Sequence, residues 1–149
     1  MTGGCAGEPV LVSACLLGLA TRYDGGSRPS AVVRAALAGC TPVPVCPEQL
    51  GGLPTPRTAA HCSGGTGEEV LDGTARVVDE MGGDVTGEFL AGARAVLAVA
   101  RLTGARRALL KERSGSCGVT ETCCDGRVVA GMGVCAALLS RSGIQLRGF

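Results

Sequence analysis

Residues Val10–Gly18 read VLVSACLLG, a nearly continuous apolar run that stops at a glycine. Its period is neither 2 nor 3.6. A run with no polar face is the habit of a strand covered on both sides, as in parallel sheets. The expectation is therefore a strand over Val10–Leu17, buried on both faces, in an α/β fold. The rest of the chain follows that lead. Pro29-Ser30 opens a short helix with Val32, Val33, Ala36 and Leu37 on one face, and Gly39 closes it. TPVPVC (Thr41–Cys46) reads as a second strand, kept near an edge by its prolines. TARVVDE (Thr74–Glu80) is a third strand. The sequence from Asp84 to Gly104 is the best helix, with Asp84 as cap and Phe89, Ala93, Val96, Leu97 and Ala100 at helical spacing. RRALLKERS supplies a fourth strand and GSCG a turn. VTETCCDGRVVAG reads as a hairpin about Asp125-Gly126, and a helix and a short strand close the chain.

Strands alternating with helices argue for one α/β domain over 1–149. The expected architecture is a mainly parallel sheet flanked by helices, a Rossmann-like or flavodoxin-like three-layer sandwich with a C-terminal hairpin. Residues 1–8 are expected to fray. The segment Pro47–Gly73 has no strong periodicity and reads as a long Gly/Pro-rich loop.

Composition narrows the function. The 149 residues are 46% hydrophobic but only 2% aromatic, and the net charge is +1. Without a basic stripe or stacking rings, a nucleic-acid polymer is not an expected partner. No apolar run reaches the about 18 residues of a membrane span. The N-terminal stretch lacks the basic start of a signal peptide, so the expected location is the cytoplasm.

Nine cysteines are many for such a chain. In a reducing compartment they are expected to be free, catalytic or metal-bound rather than paired. None stand in a Cys-x-x-Cys spacing, which argues against zinc ribbons and thioredoxin chemistry. Three share a position, however. Cys15 lies near the carboxyl end of the first strand, Cys46 at the end of the second, and Cys117 in the turn past the fourth. Ligands of open α/β sheets bind outside those ends. Three convergent thiolates suit either zinc with an open position or a [4Fe-4S] cluster with one iron lacking a protein ligand. The remaining cysteines read as ordinary: Cys40 and Cys135 as core-type thiols, Cys5 in the N-terminal stretch, Cys62 in the long loop. Cys123 and Cys124 are adjacent in a hairpin, so at most one can face a common site.

Five segments, in order, carry a resemblance: VSACLLG with RYDGG (Val12–Gly26), VPVCPEQLGGLPTPR (Val43–Arg57), GGDVTGEFLAGA (Gly82–Ala93), LLKERSGSCG (Leu109–Gly118) and DGRVVAGMGVCAALL (Asp125–Leu139). Together they resemble the thiouracil desulfidase family, long classed as a domain of unknown function. The resemblance implies a [4Fe-4S] cluster held by Cys15, Cys46 and Cys117. It implies that the sulfur of a thiolated uracil (2-thiouracil or 4-thiouracil) binds the open iron. Water then replaces that sulfur, giving uracil and sulfide without net redox change. It further implies an acid beside the second cysteine, Glu48, and a serine before the third, Ser114 or Ser116. Glu48 suits the base that activates water, and a serine hydroxyl suits ring orientation or proton transfer.

Arg22, Tyr23 and Asp24 follow the first strand and fall on the site side. Tyr23 can stack on a pyrimidine and Asp24 can hydrogen-bond it, though an Asx-turn also explains Asp24-Gly25. Arg57 and Lys111 can balance cluster charge or pair with surface acids. The sequence departs from the family's habit at Gly115, where proline is common; the expected result is a looser turn. His61, the only histidine, is assigned no role. The expected partner is a small thiopyrimidine. Two other classes remain: a sulfurtransferase acting on RNA, disfavoured without a Walker A pattern, and a non-enzymatic metal- or cluster-sensing module.

Overall fold

A computed structural model describes residues 6–149. The first strand, β1, covers Pro9–Ser13 and is shorter than the apolar run. Ala14–Leu17 curl instead into a 3₁₀ turn ended by Gly18 at φ 91°. The reason lies in the neighbouring strand. The Ser13 hydroxyl, rather than a main-chain carbonyl, accepts the Lys111 N–H at 2.9 Å. The ladder stops there and Cys15 leaves it.

Helix α1 (Ala31–Ala36) starts where expected, its Ser30 hydroxyl accepting the Val33 N–H at 3.2 Å. Val33 and Leu37 are buried, but Val32 is exposed, so the predicted apolar face is narrower. Strand β2 (Thr41–Val45) pairs only with β1, parallel. Pro42 and Pro44 are tolerated there because an edge strand can turn alternate N–H positions outward.

The expected long loop is structured, which corrects the reading of Pro47–Gly73. It holds helix α2 (Pro47–Leu50), strand β3 (Ala60–Ser63) and helix α3 (Gly67–Leu71). Prolines hid α2, yet Pro47 occupies the first helical position, where its missing N–H costs nothing. Four- and five-residue elements are too short to show a period. Strand β4 (Arg76–Asp79) and helix α4 (Thr86–Thr103) come next, the helix closing on Gly104 at φ 75°. Asp84 accepts the Thr86 N–H at 2.9 Å at its start. Strand β5 (Arg107–Leu110), the hairpin β6 (Glu121–Cys124) and β7 (Arg127–Ala130), helix α5 (Val134–Arg141) and strand β8 (Gln145–Gly148) complete the chain. Asp125 (φ 52°) and Gly126 (φ 77°) make the expected turn.

The strands form two sheets. One is all parallel in the order β2-β1-β5-β8; the other is mixed, in the order β4-β3-β6-β7. The fold is thus α/β with a mainly parallel sheet, as read, and the predicted hairpin builds a second sheet with β3 and β4. The parallel sheet is covered on both faces. Val10, Val12 and Leu109 pack with Val33 and Leu37, whereas Leu11, Ala108 and Leu110 pack with Phe89, Val96, Val134 and Leu139 from α4 and α5. Each such large side chain contributes about 1.5–3 kcal/mol when buried.

At the N-terminus, Cys5 lies outside the described residues, as does most of the segment expected to fray. Gly7 and Glu8 do not fray: Gly7 donates to Gly39 O at 2.7 Å, and Glu8 O accepts Thr41 N–H at 2.8 Å. Cys40, expected as a packed thiol, is disulfide-bonded.

Candidate functional site

From β1 the chain moves to β2 on one side and later to β5 on the other. The carboxyl ends of β1 and β5 therefore flank a topological switch point, where crevices form in open α/β sheets. A cavity of about 450 Å³ lies there. Ser13, Cys15, Cys46, Glu48, Ser114, Ser116 and Cys117 all line it, with Arg22, Tyr23, Arg57 and Lys111.

Each thiol arrives by a different device. Cys15 sits in the 3₁₀ turn after β1. Cys46 is the residue before the first turn of α2. Cys117 ends the loop after β5, where the Ser114 hydroxyl accepts the N–H groups of both Ser116 and Cys117 at 3.1 Å. Helix α2 is seated tightly against α4 by glycines. A Cβ on Gly92 would collide with the Pro47 carbonyl, and one on Gly51 with the Glu88 carbonyl. Gly51 (φ −79°) is therefore needed for close packing rather than for the turn; Gly52, at φ 99°, makes the turn.

Glu48 is clamped on both oxygens. Oε1 accepts Arg57 Nε at 2.9 Å, and Oε2 accepts the Ser116 hydroxyl at 3.1 Å. The Ser116 and Ser114 hydroxyls lie 3.0 Å apart, which extends the chain of exchangeable protons by one member. Arg57 pairs with this cavity-lining acid and not with a surface one. Gly115 leaves no slack: its carbonyl accepts the Val134 N–H at 2.9 Å, and it packs near Ala60, His61 and Phe89.

The electrostatics separate the thiols. Burial pushes Cys117 up to about 12, opposed by hydrogen bonding from Ser13 and Ser116 and reinforced by charge on Cys46 and Glu48. Burial also raises Cys15, while Arg22 and Lys111 oppose it and Cys46 adds to it. Burial lowers Lys111, and the Arg22 charge lowers it further. Each of the three thiols thus stands within electrostatic reach of another. Among the described residues, no three His, Cys, Asp or Glu side chains stand close enough to hold one metal ion.

Not every candidate points inward. Asp24 does not line the cavity; its carboxylate accepts the Gly26 N–H at 2.9 Å in an Asx-turn and lies 3.7 Å from Arg22 Nε. Tyr23 is 41% exposed at the mouth, with the Arg22 guanidinium 5.5 Å from its ring centre. Cys123 lines the cavity from the second sheet; Cys62 and Cys124 are buried in that sheet, and Cys135 is buried at the start of α5, where Cys117 and Cys46 add to burial in raising its thiol. The sequence reading missed Ser13, although a lone hydroxyl inside an apolar run was a signal. It also missed Thr21, Arg28, Glu80 and Arg113 on the cavity wall, which nothing local marked.

A crevice at the switch point of a parallel sheet, carrying thiols, a clamped acid and two hydroxyls, defines an α/β enzyme site. The particular kind follows from comparison with known proteins. The family model for 2-thiouracil desulfurase matches residues 10–148, and the chain belongs to that family. It is similar to the uncharacterized protein YbbK of Bacillus subtilis (strain 168), 42% identical over 140 residues, covering 92% of this chain and 93% of the relative. It is also similar to a solved structure, that of the [4Fe-4S]-dependent thiouracil desulfidase TudS, at 44% identity and a TM-score of 0.79. That match covers 95% of this chain and 90% of the other.

Proposed function

We propose that this enzyme removes sulfur from a thiolated uracil by hydrolysis, at a [4Fe-4S] cluster held by Cys15, Cys46 and Cys117. The observation that carries this reading is the meeting of these three thiols with Glu48 and Ser116 on one cavity. The donor set suits a cluster better than zinc. A zinc ion needs all its ligands at about 2.0–2.3 Å from one point, and the described residues offer no such group. Cys15, Cys46 and Cys117 would instead hold a cluster from three separate segments of the chain that meet at one cavity. Metal binding displaces the thiol protons that burial otherwise retains. The cluster would supply a thiophilic Lewis acid for the substrate's sulfur.

The remaining work falls to side chains. Arg22 and Tyr23 bind and orient the ring at the mouth. Glu48 takes a proton from the attacking water, directly or through Ser116. Ser114 extends that path toward the ring heteroatoms. One water and one thiocarbonyl become a carbonyl and hydrogen sulfide, so atoms balance and no electrons are required.

The test is anaerobic reconstitution followed by incubation with 2-thiouracil or 4-thiouracil. About four irons per chain, with uracil and sulfide released together, support the reading. Zinc alone, or a full cluster with no turnover on either compound, sinks it. Glu48→Ala is expected to retain iron and lose about 10²–10⁴-fold in kcat; normal turnover would remove Glu48 from the base role.

A further inference from the structure

We propose that Arg57 is the positioning residue of this site: it fixes the orientation of Glu48 and ties that acid to Cys46. The proposal rests on the reading above of Glu48 as base and Cys46 as ligand. The Arg57 side chain is 5% exposed, so it is not a surface pair. Every polar atom of its guanidinium has a partner. Nε donates to Glu48 Oε1 at 2.9 Å. Nη1 donates to the Pro54 carbonyl at 3.2 Å and the Thr55 hydroxyl at 2.8 Å. Nη2 donates to the Thr21 carbonyl at 2.8 Å and meets Cys46 Sγ at 3.8 Å. Its main-chain N–H donates to the Tyr23 carbonyl at 2.7 Å.

One side chain therefore joins the loop after β1, the start of α2 and the proline arm that follows it. The guanidinium fork is what permits this. Five donors in a fixed plane reach three segments at once, whereas a lysine offers three donors at a single point. With Oε1 held by Arg57, Oε2 is left aimed at Ser116, so the direction of proton transfer is set before substrate arrives. The contact from Nη2 to Cys46 Sγ has a second consequence. Hydrogen bonds to cluster sulfurs are among the groups that set reduction potential.

The test uses the reconstituted enzyme with Arg57→Lys, Glu48→Gln and the double variant. Arg57→Lys is expected to keep its iron and its KM while losing about tenfold or more in kcat, the effect of a misplaced reacting group. In the Glu48→Gln background the same change is expected to cost less than about twofold, because its route to the reaction is already gone. The midpoint potential of Arg57→Lys is expected to fall below wild type, since a donor to sulfur favours the reduced cluster. Wild-type kcat in Arg57→Lys, or penalties that add in full, would overturn the link to Glu48. An unchanged potential would overturn the link to Cys46. Should Arg57→Lys not fold, Thr55→Ala loosens the same fork without stranding a charge; it is expected to lower kcat severalfold, and an unchanged kcat overturns the proposal. A wild-type enzyme without cluster or turnover would sink the functional reading itself. An active wild type with a dead Glu48→Gln and an unaffected Arg57→Lys would sink only this inference.

Discussion

The two sheets each carry cysteines, and they treat them differently. At the parallel sheet, Cys15, Cys46 and Cys117 sit beyond strand ends, in a 3₁₀ turn, before a helix and in a loop. Their surroundings include groups that favour a negative sulfur: Arg22 and Lys111 near Cys15, Arg57 near Cys46, Ser13 and Ser116 near Cys117. In the mixed sheet, Cys62 and Cys124 are register partners within strands. Burial pushes Cys62 up to about 12, and Cys124, Cys123, Glu69 and Asp125 all push the same way. Three thiols make a site when they leave the ladder and meet donors, not when they are merely numerous.

The largest expected effect breaks this comparison if it fails. Cys15→Ser, Cys46→Ser and Cys117→Ser should each lose bound iron and all measurable turnover after reconstitution. Cys62→Ala and Cys124→Ala should keep wild-type iron. Cys123→Ser is the sharpest case, because Cys123 reaches the same cavity from the other sheet. It too should keep its iron; loss in that variant would place a ligand in the wrong sheet.

A second contrast concerns how the site is seated. Gly92 and Gly87 lie on the same helix, α4. At Gly92 a methyl group would meet the Pro47 carbonyl, which cannot move without carrying Cys46 and Glu48 along. At Gly87 the space is open. Gly92→Ala should therefore cost at least about tenfold in kcat, as misplacement of reacting groups does. Gly87→Ala should leave kcat unchanged and gain up to about 1 kcal/mol in helix propensity, read by urea unfolding. Equal kcat in the two variants would show that α2 does not need its close seat.

These contrasts also show what the sequence could and could not disclose. The segments that hold β1, β2 and β5 were legible because an apolar run, a Pro-x-Pro edge strand and a glycine turn are local signals, although β1 and β5 stop at Ser13 and Leu110, short of the runs that mark them. That was enough to bring Cys15, Cys46 and Cys117 to one place. The second sheet was not legible as such. Strand β3 has four residues inside a Gly/Pro-rich stretch, and its parallel partner β6 lies some sixty positions on, joined through Cys62 and Cys124. The grip on Glu48 was hidden for a related reason. Arg57 comes nine residues later and is returned to the acid only by the folded proline arm. Asp24 is the reverse case: local chemistry was sufficient, and its Asx-turn satisfies it outside the cavity.

The smallest expected effect concerns how each sheet holds its turn. The β6–β7 turn is built on positive φ at Asp125 and Gly126, with the Asp125 N–H donating to the Cys62 carbonyl at 2.8 Å. The loop bearing Ser114, Ser116 and Cys117 is held by a carboxylate instead. Glu112 Oε1 accepts the N–H groups of Val119, Thr120 and Glu121 at 2.8, 3.0 and 3.2 Å, and Oε2 accepts the Thr120 hydroxyl at 2.6 Å. Burial opposes its ionisation, but these hydrogen bonds outweigh it and hold the carboxyl below its ordinary 4.5. A folded value below the unfolded one gives stability above the ordinary carboxylate range. That stability is lost as pH falls through the folded value. Discounted for solvent screening of this half-exposed group, the contribution is on the order of 1 kcal/mol. Glu112→Gln should therefore unfold in less urea than wild type at pH 7, and the gap should close as pH drops from about 5 toward 3. A gap of constant size across that range would mean that the loop depends on the shape of residue 112 and not on its charge.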